Sequence, residues 1–97
     1  MIEHHFGGGV YAKGMHLPAN YVIGKHTHTY DHLSILAHGS VEFMVDDEVV
    51  VVHAPACLTI KANKEHCVRA ITDVLWYCIH ATDCTDADKI DEILLER

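Results

Sequence analysis

Three histidines, His26, His28 and His32, stand within seven residues of the stretch 24–39, which reads GKHTHTYDHLSILAHG. Residues two apart on an extended strand project from the same face, so His26 and His28 point the same way. Two neutral imidazoles side by side are half of a site for a divalent transition ion, since imidazole suits zinc, copper, iron and nickel. His32 follows a Thr-Tyr-Asp segment that can turn the chain, which lets it face the pair from the next strand. A fourth candidate, His66, lies far along the chain in KANKEHCV. Histidine makes up 10 of the 97 residues, so abundance alone accounts for part of the clustering. An isolated histidine is more often a surface or hydrogen-bonded core residue than a ligand.

The elements that would carry these side chains are short and β-like. Breakers such as Pro18-Ala19-Asn20, Gly39-Ser40 and Ala54-Pro55 divide the chain into expected strands over 10–17, 21–28, 32–38, 41–45, 48–53, 57–60, 66–71 and 74–80. Asp46-Asp47 between two apolar runs reads as a two-residue hairpin turn. The run Val49-Val50-Val51-Val52 is uniformly β-branched, which predicts at least partial cover on both its faces. Residues 1–9, ending in Gly7-Gly8-Gly9, read as a flexible lead-in without chemistry, because no Lys-Ser/Thr follows the glycines. The tail changes character: Thr85, Asp86 and Asp88 suit a helix start, and Ile90, Ile93 and Leu94 form an apolar stripe at helical spacing. The pattern predicts a small all-β barrel with one C-terminal helix. It forms a single domain over 1–97, the barrel at about 10–81 and the helix at about 86–97.

Composition narrows the partners. Seven Lys and Arg stand against 14 Asp and Glu, a formal net charge of −7, which opposes binding to nucleic acid or an anionic membrane. Only Arg69 and Arg97 could supply guanidinium, which limits how a dianion could be clamped. Hydrophobic residues at 49% exclude a disordered chain, and no run approaches the roughly 20 apolar residues of a membrane span. Met1-Ile2-Glu3-His4-His5 has no basic start with an apolar run behind it, so a cytoplasmic protein is expected. Cys57, Cys67, Cys78 and Cys84 show no CxxC spacing and read as free thiols. A domain this small often gains stability by pairing.

The spacing resembles the cupin family of small double-stranded β-helix, or jelly-roll, barrels. The histidine pair, three intervening residues, His32, six more residues and Gly39 match that family's first motif, with histidine where a glutamate usually stands. His66 aligns with the histidine of the second motif, though the Pro-x-Gly turn before it is replaced by Lys61-Ala62-Asn63. Asn63 can adopt the left-handed conformation that the glycine would supply. The resemblance covers roughly residues 12 to 81 and is that of a single-domain cupin with an all-histidine ligand set. It implies one divalent transition metal (Fe, Mn, Ni, Cu or Zn) held by His26, His28, His32 and His66 in the barrel mouth, a small-molecule substrate or ligand, and a homodimer.

Four neutral imidazoles would leave the ion's double charge uncompensated, making it a strong Lewis acid with two open positions. The activity so implied is a metal-dependent, dioxygenase-like oxidoreductase acting on a small organic molecule. The alternatives are a metal-dependent isomerase or lyase, in which Tyr30 moves the proton, and a non-catalytic metal-binding, small-ligand-binding or structural module. Tyr30, between His28 and His32, is the candidate catalytic proton donor or acceptor, against a plain surface-turn tyrosine. By strand parity His38 could line the interior below His32, and Tyr77 or Cys78 could floor the pocket. Glu42 and Met44 share one face as second-layer groups or barrel wall, and His53 is expected to be exposed.

Overall fold

The computed structural model describes residues 1–26 and 29–95, with side chains for all of these except 25, 26 and 95. Nine strands follow one another: β1 (Ile2–Gly7), β2 (Val10–Leu17), β3 (Val22–His26), β4 (His32–His38), β5 (Ser40–Val45), β6 (Glu48–His53), β7 (Ala56–Ile60), β8 (His66–Ala70) and β9 (Val74–Ala81). A single short helix, α1 (Ile90–Leu95), closes the described chain. The strands form two antiparallel sheets, β1-β2-β9-β4-β7 and β3-β8-β5-β6, the arrangement of a jelly roll with one C-terminal helix. No helix among the described residues is long and apolar enough to cross a membrane.

Alternation along each strand sets which side chains enter the space between the sheets. In β8, His66, Val68 and Ala70 are buried while Cys67 and Arg69 lie half-exposed between them. In β4 the buried set is His32, Ser34 and Leu36, and in β9 it includes Val74, Trp76 and His80. Leu17, Leu36, Val41, Val68, Ala70, Val74 and Trp76, drawn from both sheets, form one apolar core. Fully burying side chains of this size contributes about 1.5–3 kcal/mol each relative to exposure.

Turn chemistry matches the local sequence. Asp46 and Asp47 both take positive φ, 51° and 63°, as a two-residue hairpin between β5 and β6 demands. Asn63 has φ 61°, the left-handed state expected of it. Gly39 turns the chain from β4 into β5 at φ 88°, where an added Cβ would lie 2.3 Å from the Asp73 carbonyl oxygen; no other residue fits there.

Three expectations need correction. Residues 1–9 are not a loose lead-in: Ile2–Gly7 pairs along the whole of β2, from Ile2↔Met15 to Gly7↔Val10, with Gly8 and Gly9 making the turn at positive φ. The valine run is not covered on both faces, because β6 is the edge of its sheet; Val49, Val50 and Val51 are 59%, 49% and 53% exposed. The helix starts at Ile90 rather than near 86, the Asp86 carbonyl accepting from the Lys89 and Ile90 amides and its carboxylate from the Asp88 amide. Residues 96 and 97 of the expected helix lie outside the described residues.

Candidate functional site

Four interior strands change chemistry along their length in step with one another. On β2 the inward series runs Leu17, Met15, Lys13, Tyr11; on β9, opposite, it runs Val74, Trp76, Cys78, His80. On β4 the series is Leu36, Ser34, His32, with Leu36 beside Trp76 and Ser34 beside Cys78; on β8 it is Ala70, Val68, His66. One end of the interior is therefore hydrocarbon and the other is imidazole, phenol, thiol and amine.

At the polar end the rings are close. His32 and His80 stack with centroids 4.7 Å apart and planes 28° from parallel, and the His66 ring lies 6.5 Å from that of His32. The Tyr30 hydroxyl and His80 Nδ1 are hydrogen-bonded at 3.0 Å, with the phenol edge-on to the imidazole. His66 Nδ1 donates to the Lys64 carbonyl at 3.3 Å. Tyr11 stacks near His80 and its hydroxyl meets His4 Nδ1 at 2.7 Å, so β1 contributes a histidine to the network's outer edge. Burial, reinforced by the charges of Asp91 and Cys78, pushes the Tyr11 phenol up to about 12.

Between the two ends lies a cavity of about 440 Å³. Met15, Ile23, Val68, Trp76 and Leu94 make its apolar wall. Ser34, Cys78, His66 and His80 supply the interior polar groups, and Lys13 and Asp91 complete the lining. Ser34 Oγ donates to Cys78 Sγ at 3.7 Å, and burial pushes the Cys78 thiol up despite hydrogen bonds to Ser34 and Trp76 and the Lys13 charge. Helix α1 borders this cavity through Asp91 and Leu94. Ile90 and Leu94 bury themselves against Tyr11, with Phe6, Tyr30 and Cys84 around them, and this packing brings Asp91 to the cavity lining, 3.9 Å from Lys13.

Placed against the sequence, the result is divided. His32 and His66 do come together at one end of the barrel with Tyr30 beside them. His28 and the side chain of His26 lie outside the described residues, although the His26 backbone is paired with His66. Among the described residues no group of three or more His, Cys, Asp or Glu side chains is arranged to hold a metal ion. Among the described residues the imidazole nearest His32 is that of His80, which meets it face to face rather than converging on a shared point, and its Nδ1 is engaged by Tyr30. The expected all-histidine centre, its divalent ion (Fe, Mn, Ni, Cu or Zn) and the dioxygenase-like oxidoreductase, isomerase or lyase activities built on it are corrected accordingly.

Of the lesser candidates, Cys78 lines the cavity whereas Tyr77 points outward beside Gly14. His38 is exposed, because a register shift after Leu36 moves it off the interior series. His53 is exposed and hydrogen-bonded to Ser40 Oγ. Glu42 pairs with Arg69 on the outer face of its sheet, which lowers the Glu42 carboxyl and removes Arg69 from the interior. Lys13 and His80 were missed. The signal for Lys13 was present: it alternates with Tyr11, Met15 and Leu17, a charge set on an apolar face.

The Cupin domain family model matches residues 14–80. Among solved structures, KdgF from Halomonas sp. superposes with a TM-score of 0.76 at 15% identity, covering 88% of this chain and 80% of that one. A cupin superfamily protein from Desulfitobacterium hafniense DCB-2 gives 0.72 at 14% identity, covering 86% and 79%. An RmlC-like cupin protein from Desulfovibrio desulfuricans gives 0.69 at 23% identity, covering 81% and 79%. At these identities the likeness is one of fold. No curated protein matches the sequence.

Proposed function

The chain belongs to the cupin family, and on that premise we propose that it is a non-catalytic module that holds one small organic molecule inside its barrel. The observation that carries this reading is the cavity of about 440 Å³, mainly apolar, with a few polar groups and with α1 along its side. Small-molecule sites have this size and this mixture of hydrocarbon wall and sparse, convergent polar groups. His66 and His80 line the chamber, where they orient the occupant's polar end, and His32 and Tyr30 stand behind them, against those two rings. The unit of function is the single domain over 1–97. Four free thiols fit a reducing compartment and support a cytoplasmic setting.

A thermal-shift screen of small acids, alcohols, amides and amines tests the reading. A ligand present at 100 times its Kd stabilises by about 2.7 kcal/mol, several degrees of Tm for a domain of this size. Met15→Trp, which fills the chamber, should abolish the shift while the variant stays folded. A screen in which no compound raises the wild-type Tm, or in which Met15→Trp responds equally, refutes it.

We further infer a homodimer paired through β6. Three exposed valines on an edge strand without a lysine, proline or bulge are an invitation to a second strand. Val51→Lys should convert a dimer to a folded monomer in sedimentation experiments; a wild-type chain that sediments as a monomer at micromolar concentration removes the inference.

A further inference from the structure

We propose that the occupant of the chamber is a monoanion with an apolar body, such as a small aromatic or short-chain carboxylate, and that Lys13 is its anchor. This rests on the reading that the chamber binds a small molecule. Lys13 stands in the inward series of β2, between Tyr11 and Met15, and its side chain lines the chamber at 28% exposure. A lysine on the interior face of a barrel strand needs an anion, since a charge drawn out of water without one is costly.

Its neighbours do not provide a strong one. Cys78, directly across the β2–β9 ladder, is held toward the neutral thiol by burial. The carboxylate that Lys13 does meet is Asp91 of α1, at 3.9 Å and with the Asp91 side chain 69% exposed, a long and solvent-screened contact. A ligand carboxylate entering the chamber would approach the same ammonium with less water between them, and a shorter charge-assisted hydrogen bond is the stronger one.

The rest of the lining defines the ligand's other features. Lys13 is the cationic side chain of the lining, which fits one negative charge rather than two, and it repels a cation. Trp76, Val68, Ile23 and Met15 form a hydrocarbon floor that rewards an aromatic ring or short alkyl chain and leaves a sugar-like polyol unsatisfied. Ile90 and Leu94 hold α1 in place by burial, so an anion can take Lys13 from the exposed Asp91 without displacing the helix. Asp91 is thus a competitor for the anchor.

Trp76 is the chain's single tryptophan and lies in the chamber wall, so its fluorescence reports occupancy directly. The experiment is a titration of the full chain with matched pairs of nearly equal shape, benzoate against benzamide and hexanoate against hexanamide. The acid should bind at least about tenfold more tightly than its amide in the wild type. Lys13→Met should bring the two members of each pair to equal affinity, with its fold checked by circular dichroism. Asp91→Asn, on an exposed side chain where folding is not at risk, should tighten benzoate severalfold and leave benzamide unchanged.

Acid and amide binding equally to the wild type overturns the anion assignment while leaving a neutral-ligand chamber intact. A preference for acids that survives Lys13→Met, or an Asp91→Asn variant that weakens benzoate, removes Lys13 as the anchor. If none of the four compounds perturbs Trp76, the anchor fails; if the thermal-shift screen is silent too, the chamber reading fails with it.

Discussion

The two ends of the barrel interior are built by the same strands and differ in almost every physical respect. At one end Leu17, Leu36, Val41, Ala70, Val74 and Trp76 pack as hydrocarbon from both sheets. A few residues along the same strands, His32, His66, His80 and Tyr11 fill equivalent inward positions with rings that carry polar atoms. The first end stabilises by removing apolar area from water and filling space. The second carries polar atoms that burial makes costly to leave unpaired, and pairs such as Tyr30–His80, His4–Tyr11 and His66–Lys64 carbonyl satisfy several of them. A strand can thus divide its labour by depth: one end holds the fold, and the other is free to recognise something.

The largest effect that would test this division is on β4, where the two kinds of interior position sit two residues apart. Leu36→Ala at the hydrocarbon end should cost about 2–5 kcal/mol in urea denaturation, because Leu36 is fully buried and leaves a cavity. Ser34→Ala, at an equally buried site whose hydroxyl bonds to a thiol at 3.7 Å, should cost no more than about 1 kcal/mol. Equal losses at both sites would mean that the chamber end is as integral to the core as the other.

A smaller effect concerns pH. The Tyr11 phenol, ordinarily near 10, is held at about 12 in the folded state, so folding retains its proton. Its contribution is complete below pH 10 and is lost as pH rises from 10 through about 12, where the folded phenol also ionises. Tyr11→Phe should therefore flatten the stability difference across that alkaline window. It should also lower stability at neutral pH by about 1 kcal/mol through loss of the His4 hydrogen bond. Denaturation of both proteins at matched pH values decides it, since the lysines titrate alike in each. An alkaline limb that persists unchanged in the phenylalanine variant would place the buried ionisation elsewhere.

Much of this was legible before any coordinates. Strand positions, the Asp46-Asp47 hairpin and the left-handed Asn63 follow from residue type, two-residue alternation and turn chemistry, which are local properties, whereas the meeting of His32 with His66 was implied by the family resemblance. The valine run shows where locality ends. Nothing within Val49-Val50-Val51-Val52 distinguishes an edge strand from a central one, and only the sheet order made it an edge. The residues 2–7 likewise carry no strong alternation, and became a strand because β2 offered a free edge to pair with.

The sequence by itself determined short strands with an inward face each and a C-terminal helix, because a period of two is fixed by backbone geometry alone, while the jelly-roll topology and the imidazole-rich end were implied by the family resemblance. Tertiary structure decided which inward faces meet. It set the His80 ring face to face with His32, sent Arg69 outward to Glu42, and brought Asp91 of the helix within 3.9 Å of Lys13 of β2. Those outcomes depend on register across sheets and on where a distant helix docks. Both are set by the summed packing of Ile90, Leu94 and Tyr11 and the core beneath them, which no single stretch of the chain contains.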